Sequence, residues 1–545
     1  MKKKLLEAAV LLSIGSGCLM PNEVGAVARY YWSQADQTWT TTNPEVYTDN
    51  KAVLPKEGVT VSEGGYFYVA SGYGPTTNNS LTVEKLTTHL NTLVVGDSFT
   101  GNNEGNKLII NGANISEVYC ATGAYSNAIN NEAIITDLDN CFRLYGGSST
   151  LGNAEGNKIT INSGNITNVY AGFSGTGKAE GNKVIINGGN ITSVFGAFAG
   201  QKEAQGNEVV ISNSTGEGYV GDVYASATER HDTLLKSNKV TWKDGNIQGN
   251  VFGGALYTYD VDKDDFVFKP VENAAGILNV YHSSGSNSKT IAEGKSIAAF
   301  DTMNFYLSGD VKADSIIIDN SKANAVKMDG VSVSLENDPE KTLDSDFMKG
   351  DKIYLIKKTE GSIDTKIVPL TANGMDYDFE VSTTDESLIA KSLTDKKPEP
   401  KPDPKPGPDP HKRPNEQTKA LLEGHAAAAL AVNQMVDNTI NVALKDAELA
   451  ANENNKFNTF ISANYNKDRI STGSYVDVKG LSGTIGIARK LNNKCGALTY
   501  GLFLEGGKNK FDTSNDFASG TVHGKGDANS FGGGLFAKQK NSNGM

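Results

Sequence analysis

The chain has 545 residues and a net charge of −12, with 63 acidic side chains against 51 basic ones. That balance argues against nucleic acid as a partner, which calls for a basic face. Four cysteines exclude a disulfide-built scaffold. Beyond residue 30 no apolar run approaches the roughly 18 residues of a spanning helix, although a membrane β-barrel stays open because its strands alternate.

Lys2, Lys3 and Lys4 precede a largely apolar stretch from Leu5 to Met20, broken by Glu7, and Ala26-Val27-Ala28 follows. This pattern predicts a secretory signal peptide over 1–28, cleaved between Ala28 and Arg29. Ile14-Gly15-Ser16-Gly17-Cys18 is the weaker, lipoprotein-like alternative, with Gly15 where such sites carry leucine.

After an N-terminal segment over 29–78, a repeat fills 79–295. Glu155-Gly156-Asn157-Lys158-Ile159-Thr160-Ile161-Asn162 returns 25 residues later as Glu180-Gly181-Asn182-Lys183-Val184-Ile185-Ile186-Asn187. The anchors Asn79, Asn106, Asn131, Asn157, Asn182, Asn207 and Asn238 mark seven copies, the last two separated by 31 residues. Ile159 and Ile161 alternate with Lys158 and Thr160, the period of a strand with one buried face. Gly and Asn then supply corners. One such unit cannot bury its apolar face alone, so the pattern predicts an all-β fold built on a right-handed parallel β-solenoid, one coil per repeat. Insertions are expected in the connecting loop. The aromatic positions Tyr119, Tyr145, Tyr170, Phe195, Tyr224 and Phe252 predict a stacked structural ladder rather than a sugar-binding surface, and the Asn column predicts corner hydrogen bonding.

No catalytic constellation emerges, and the chain reads as a non-enzyme. Gly96-Asp97-Ser98 resembles a lipase nucleophile block, but none of His89, His231, His282, His411, His425 and His523 has an Asp three residues before it to form the usual base. Asp260, Asp262, Asp264 and Asp265 read as a solvated loop rather than a metal site. Cys120 and Cys141 sit at different registers of neighbouring repeats and read as buried thiols, with a disulfide as the alternative. No cofactor or metal is implied.

Over 296–395 the repeat gives way to irregular strands, including 303–307, 315–319, 331–335 and 352–357, as expected of a terminal solenoid cap. Residues 396–414 hold eight prolines alternating mostly with charges, an extended linker. A helix is predicted over 415–453, with a small, Ala-rich face. Over 454–545 come four alternating segments, 457–465, 475–489, 498–508 and 530–538. They are joined by a polar loop at 466–474, a short turn at 492–496 and a long polar loop at 511–529, the short-and-long signature of an outer-membrane barrel.

Several motifs here follow one another in the order of a known family. The helix, Gly473-Ser474-Tyr475-Val476-Asp477-Val478-Lys479-Gly480, Tyr500-Gly501-Leu502-Phe503-Leu504-Glu505-Gly506-Gly507 and Phe531-Gly532-Gly533-Gly534 resemble the translocator of type V autotransporters of the Gram-negative outer membrane. Asn304-Phe305-Tyr306-Leu307 and Lys349-Gly350-Asp351-Lys352-Ile353-Tyr354-Leu355-Ile356 are similar to that family's passenger cap, the autochaperone. The resemblance covers roughly residues 296–545. It implies export to the periplasm, a barrel in the outer membrane, the 415–453 helix in its pore, and a solenoid passenger displayed at or released from the cell surface, for adhesion or aggregation. An enzymatic passenger is the alternative. Implied partners are the outer membrane, periplasmic chaperones, the barrel-assembly machinery and a host or neighbouring cell. The family's barrel has twelve strands and this chain supplies four, so the C-terminal region reads as an incomplete barrel: an open four-stranded sheet beside a helix.

Overall fold

The computed structural model describes residues 29–33, 35, 38–40, 48–54, 64–213, 218–272, 274–283, 288–308, 311–338, 352–372, 375–393, 412–414, 416–451, 456–471, 475–493, 496–517 and 520–541. The expected signal peptide over 1–28 and most of the 396–414 linker lie outside the described residues. The described residues form two compact units divided at residues 412 and 413, with 375–376 belonging to the second.

The first unit is a β-solenoid. In the coil that begins near residue 154, a two-residue strand Ala154–Glu155 leads through Gly156 and Asn157 into strand Lys158–Ile161, and a corner leads on to strand Gly164–Ser174. Each strand pairs in parallel with its copy one repeat later: Ala154 with Ala179, Ile159 with Val184, Asn165 with Asn190, Tyr170 with Phe195. Ile159, Ile161, Ile166, Val169 and Ala171 point inward and are buried. Burying each of the isoleucine and valine side chains contributes about 1.5–3 kcal/mol relative to exposure, a gain available only once a neighbouring coil covers it. The outward positions carry charge. Lys107 and Lys158 both reach Glu132, at 3.3 and 3.1 Å, and Lys183 reaches Glu208 at 2.8 Å.

The residue before each ladder asparagine turns the chain through the left-handed region. Gly105, Gly156, Gly181 and Gly206 have φ of 64–65°, and where glycine is missing Asp49, Asn78, Asn130 and Ser237 adopt φ of 52–56°. Small polar side chains tolerate this conformation better than bulky ones.

Coil stacking extends beyond the readable repeats. Strand Lys51–Leu54 pairs in parallel with Ser80–Val83, and strands Phe300–Leu307 and Ser332–Asn337 continue the stack after Gly276–Tyr281. The 31-residue spacing corrects the expectation that insertions enter at the connecting loop. Ile186 still pairs with Ile211, but Gly189 already pairs with Gly218, so most of the extra length enters at the corner between Ser212 and Gly218.

The C-terminal end of this unit changes pairing mode. Strand Lys352–Ile356 is parallel to Ile316–Asp319 on one side and antiparallel to Ser387–Ser392 on the other, and Ser387–Ser392 pairs in turn with Met375–Thr384. Ile353, Leu355 and Ile356 are fully buried there. A meander with a different register covers the last coil and ends the parallel template.

The second unit contains helix Glu416–Ala450 and an antiparallel meander of strands Asn458–Ser471, Tyr475–Asn493, Gly496–Phe517 and Gly520–Asn541. The open four-stranded sheet and the helix match expectation. The polar loops do not: most of 511–529 continues as paired strand up to Phe517 against Gly520, and 466–471 pairs with 475–480. Backbone pairing needs no apolar side chains, so polar composition concealed these strand extensions. The helix lays Ala443 and Ala447, and the residue after it Ala451, against Phe460 and Ala488, with Phe503 and Phe536 alongside. The opposite face exposes Ile461, Tyr465, Leu481, Ile485, Leu502, Leu504, Phe531 and Leu535. On the helix side, Phe460 pairs with Gly486, Gly486 with Phe503 and Phe503 with Gly534. A Cβ on Gly486 would strike the Phe460 ring, and one on Gly534 the Phe503 ring, so glycine here is a seat for an aromatic neighbour. Among the described residues no helix is long and apolar enough to cross a membrane.

Candidate functional site

The repeat positions singled out in the sequence fall into vertical columns along the solenoid. The asparagine column lies inside. Asn50, Asn79, Asn106, Asn131, Asn157, Asn182, Asn207 and Asn238 are all buried. Each of the first seven donates its backbone N–H and its Nδ2–H to the Oδ1 of the next, as in Asn131 to Asn157 at 3.1 and 2.8 Å and Asn207 to Asn238 at 3.0 and 2.9 Å. The second Nδ2 hydrogen goes to a backbone carbonyl, Ala128 for Asn157 and Ala154 for Asn182, both at 2.9 Å. The column is corner hydrogen bonding, as expected, with Asn50 as an eighth member that the spacing did not reveal.

The aromatic column is a structural stack. Tyr119, Tyr145, Tyr170 and Phe195 lie nearly parallel with ring centroids 4.6–5.1 Å apart, and Tyr224 follows at 4.8 Å. Phe252 is tilted by 56° from Tyr224 at 5.7 Å. At the N-terminal end, Val94 separates Tyr68 from Tyr119. Three residues further along each strand runs a second column: Ser71, Asp97, Thr122, Ser148, Phe173 and Phe198. Its two phenylalanines stack on each other at 5.3 Å and meet the first column edge-on. Hairpin Ala255–Asp260 with Asp265–Pro270 folds Phe268 onto Phe195 and Tyr224, at 5.1 and 4.7 Å. These rings are covered by protein and offer little surface to a ligand.

Asp97 sits in this second column, 5 % exposed. Burial pushes its carboxyl up to about 6, opposed by the Ser71 hydroxyl, which donates to Oδ2 at 2.9 Å. Ser98 turns inward instead. Its Oγ donates to the Gly74 carbonyl at 2.8 Å and accepts from the Gly101 N–H at 2.9 Å. Ser149 repeats both bonds, with the Ser126 carbonyl and the Gly152 N–H, and Ser174 repeats the first with the Gly152 carbonyl. Ser98 is therefore the repeat's loop-closing serine.

Of the histidines, His89 meets Ser116 through Nε2 at 2.8 Å, and His282 meets Ser308 through Nδ1 at 2.6 Å. His411 lies outside the described residues. The His282–Ser308 pair is buried, and nearby the buried Lys289 donates to Ser283 at 2.7 Å and Ser283 donates to the half-buried Asp244 at 3.0 Å. Neither was singled out in the sequence, because the partners lie far apart along the chain. Both join successive strand ends. The acidic cluster forms a hairpin turn in which Asp260 pairs with Lys269 at 3.3 Å and the Tyr259 hydroxyl donates to Asp264. Cys120 and Cys141 are free and buried, with burial pushing both thiols well up. Of the expected cleavage pair, Arg29 opens strand Arg29–Ser33 and Ala28 lies outside the described residues.

A third column went unread. Tyr73, Phe99 and Tyr125 stand at one corner of successive coils, edge-to-face, with centroids 5.3 and 5.2 Å apart. Tyr73 is 74 % and Tyr125 59 % exposed. The backbone fixes the row: Phe99 N–H donates to the Gly72 carbonyl and Tyr125 N–H to the Phe99 carbonyl, both at 2.9 Å. Their common spacing of 26 residues was the available signal. Compared with protein-family models, curated proteins and solved structures, the chain finds no match.

Proposed function

We propose that the chain is an autotransporter-type protein of the Gram-negative outer membrane, exported by its signal peptide, whose solenoid is a surface passenger serving adhesion or aggregation rather than catalysis. The observation that most supports this reading is the sheet of the second unit. Its one face seats an alanine-rich helix against Phe460 and Ala488, while the other exposes a field of bulky apolar side chains from Ile461 to Leu535. Exposed apolar area of that extent in water is unfavourable, whereas acyl chains are a suitable solvent for it. The open edges of the sheet need further strands, since unpaired backbone groups in lipid cost several kcal/mol each. The meander around Lys352–Ile356 then acts as the first folded template onto which coils add as the passenger emerges. Periplasmic chaperones and the barrel-assembly machinery are the partners this route requires.

The test is an epitope tag at Gly200–Glu203, a turn between coils, introduced at the chromosomal locus. Antibody labelling of intact cells, lost on brief external proteolysis, is the expected result. A tag reachable only after the outer membrane is permeabilised would overturn the reading.

A further inference from the structure

We propose that Tyr73, Phe99 and Tyr125 form a saccharide-stacking site for an extended, β-linked glycan lying along the solenoid axis. The proposal names a ligand class for the passenger, and it depends on surface display only for where the glycan is met. The three rings make a row one residue wide, with the two tyrosines standing proud on either side of the lower Phe99. Such a strip falls far short of the roughly 800 Å² per partner that a stable protein interface needs. It matches what a narrow polymer with apolar ring faces presents.

The surroundings fit the same ligand. Thr100 flanks the row, its hydroxyl donating to the Tyr73 carbonyl at 2.7 Å. A few residues along each coil stands an amide column, in which Asn127 Nδ2 donates to Asn102 Oδ1 at 3.2 Å and Asn127 Oδ1 accepts from the Asn153 N–H at 2.8 Å. Uncharged amides and hydroxyls suit sugar hydroxyls, whereas an anionic lipid surface calls for lysine and arginine. Tyrosine adds a large rigid platform with a polar tip. Because parallel pairing fixes each coil relative to the next, the rings are spaced before any ligand arrives, which limits the ordering cost of binding.

The test is affinity electrophoresis of the full chain in detergent through gels holding hydroxyethylcellulose, xylan or, as an α-linked comparison, dextran. Retardation in one or both β-linked gels but not in dextran is the expected result. It should weaken at least tenfold in a Tyr73→Ser, Tyr125→Ser variant and persist in a Tyr73→Trp, Tyr125→Trp variant. Circular dichroism and the unfolding midpoint verify that the serine variant keeps its coils; if it does not, the tryptophan variant and single Tyr73→Ser carry the comparison. No retardation of the wild-type chain, equal retardation in dextran, or retardation unchanged by both serine variants would overturn the proposal. Because the purified chain is used, none of these outcomes bears on export.

Discussion

Asn157 donates both its backbone N–H and its side-chain Nδ2–H to a single atom, the Oδ1 of Asn182, at 3.0 and 2.9 Å. Asn182 then does the same to Asn207, at 2.9 and 3.0 Å. One acceptor therefore satisfies two buried donors of the preceding coil, while its own amide is spoken for on the far side.

Asn182→Ala should consequently cost more than one hydrogen bond. It strands two buried donors on Asn157 and removes two donations, to Asn207 and to the Ala154 carbonyl. With about 1–3 kcal/mol for each buried group left unpaired, a loss of about 3 kcal/mol is expected. Urea unfolding followed by circular dichroism measures it; a change below about 0.5 kcal/mol would refute the ladder as a source of stability.

Asp97 gives the solenoid a pH dependence of unusual sign. Its carboxyl stands at about 6 when folded against 3.8 when free. The folded chain holds this proton more tightly, so its contribution is fully present below about pH 4 and is lost as pH rises towards 6, about 3 kcal/mol in all. Asp97→Asn should therefore gain on wild type in urea midpoint when both are moved from about pH 4 to about pH 7. Parallel midpoints across that range would disprove it.

Ser98→Ala removes the bonds to Gly74 and Gly101. The expected cost is about 1–2 kcal/mol of stability. Faster hydrogen exchange should be confined to the corner at 98–102. A fluorophosphonate probe that labels Ser98 in the folded chain would instead mark it as a nucleophile.

Gly486→Ala should disturb the C-terminal sheet, because the new methyl group meets the Phe460 ring and the Leu502 carbonyl. Overpacking of this kind costs about 1–3 kcal/mol. Combining it with Phe460→Ala should recover part of the loss, read as protease resistance of the C-terminal fragment; strictly additive losses would exclude the ring-on-glycine fit.

Much of this architecture is legible in the sequence because the repeat reports it directly. A residue that recurs at the spacing of one coil must stack on its copy, so Asn157 above Asn182 and Tyr170 above Phe195 follow once the period is known. Asn50 escaped because it stands 29 residues before Asn79, off the 25–27-residue spacing of the five steps that follow, with aspartate in place of glycine at the left-handed turn. The exposed row escaped for a different reason. Tyr73, Phe99 and Tyr125 lie in the polar corner, where chemistry varies from coil to coil, and their 26-residue spacing runs for only three copies before Leu151 stands at the same interval. The long hairpin at Phe517 and Gly520 was hidden by polar side chains on paired backbone.

The asparagine column has a consequence for length. Every rung is the same donation repeated, with the donors facing the C-terminal end and the acceptor oxygens the N-terminal end. Removing one whole coil, residues 157–181, would bring Asn131 against Asn182 and Tyr145 against Phe195 with both columns in phase. Coil number is thus a quantity that gene duplication or loss can change in whole steps, lengthening or shortening the solenoid without redesigning its interior.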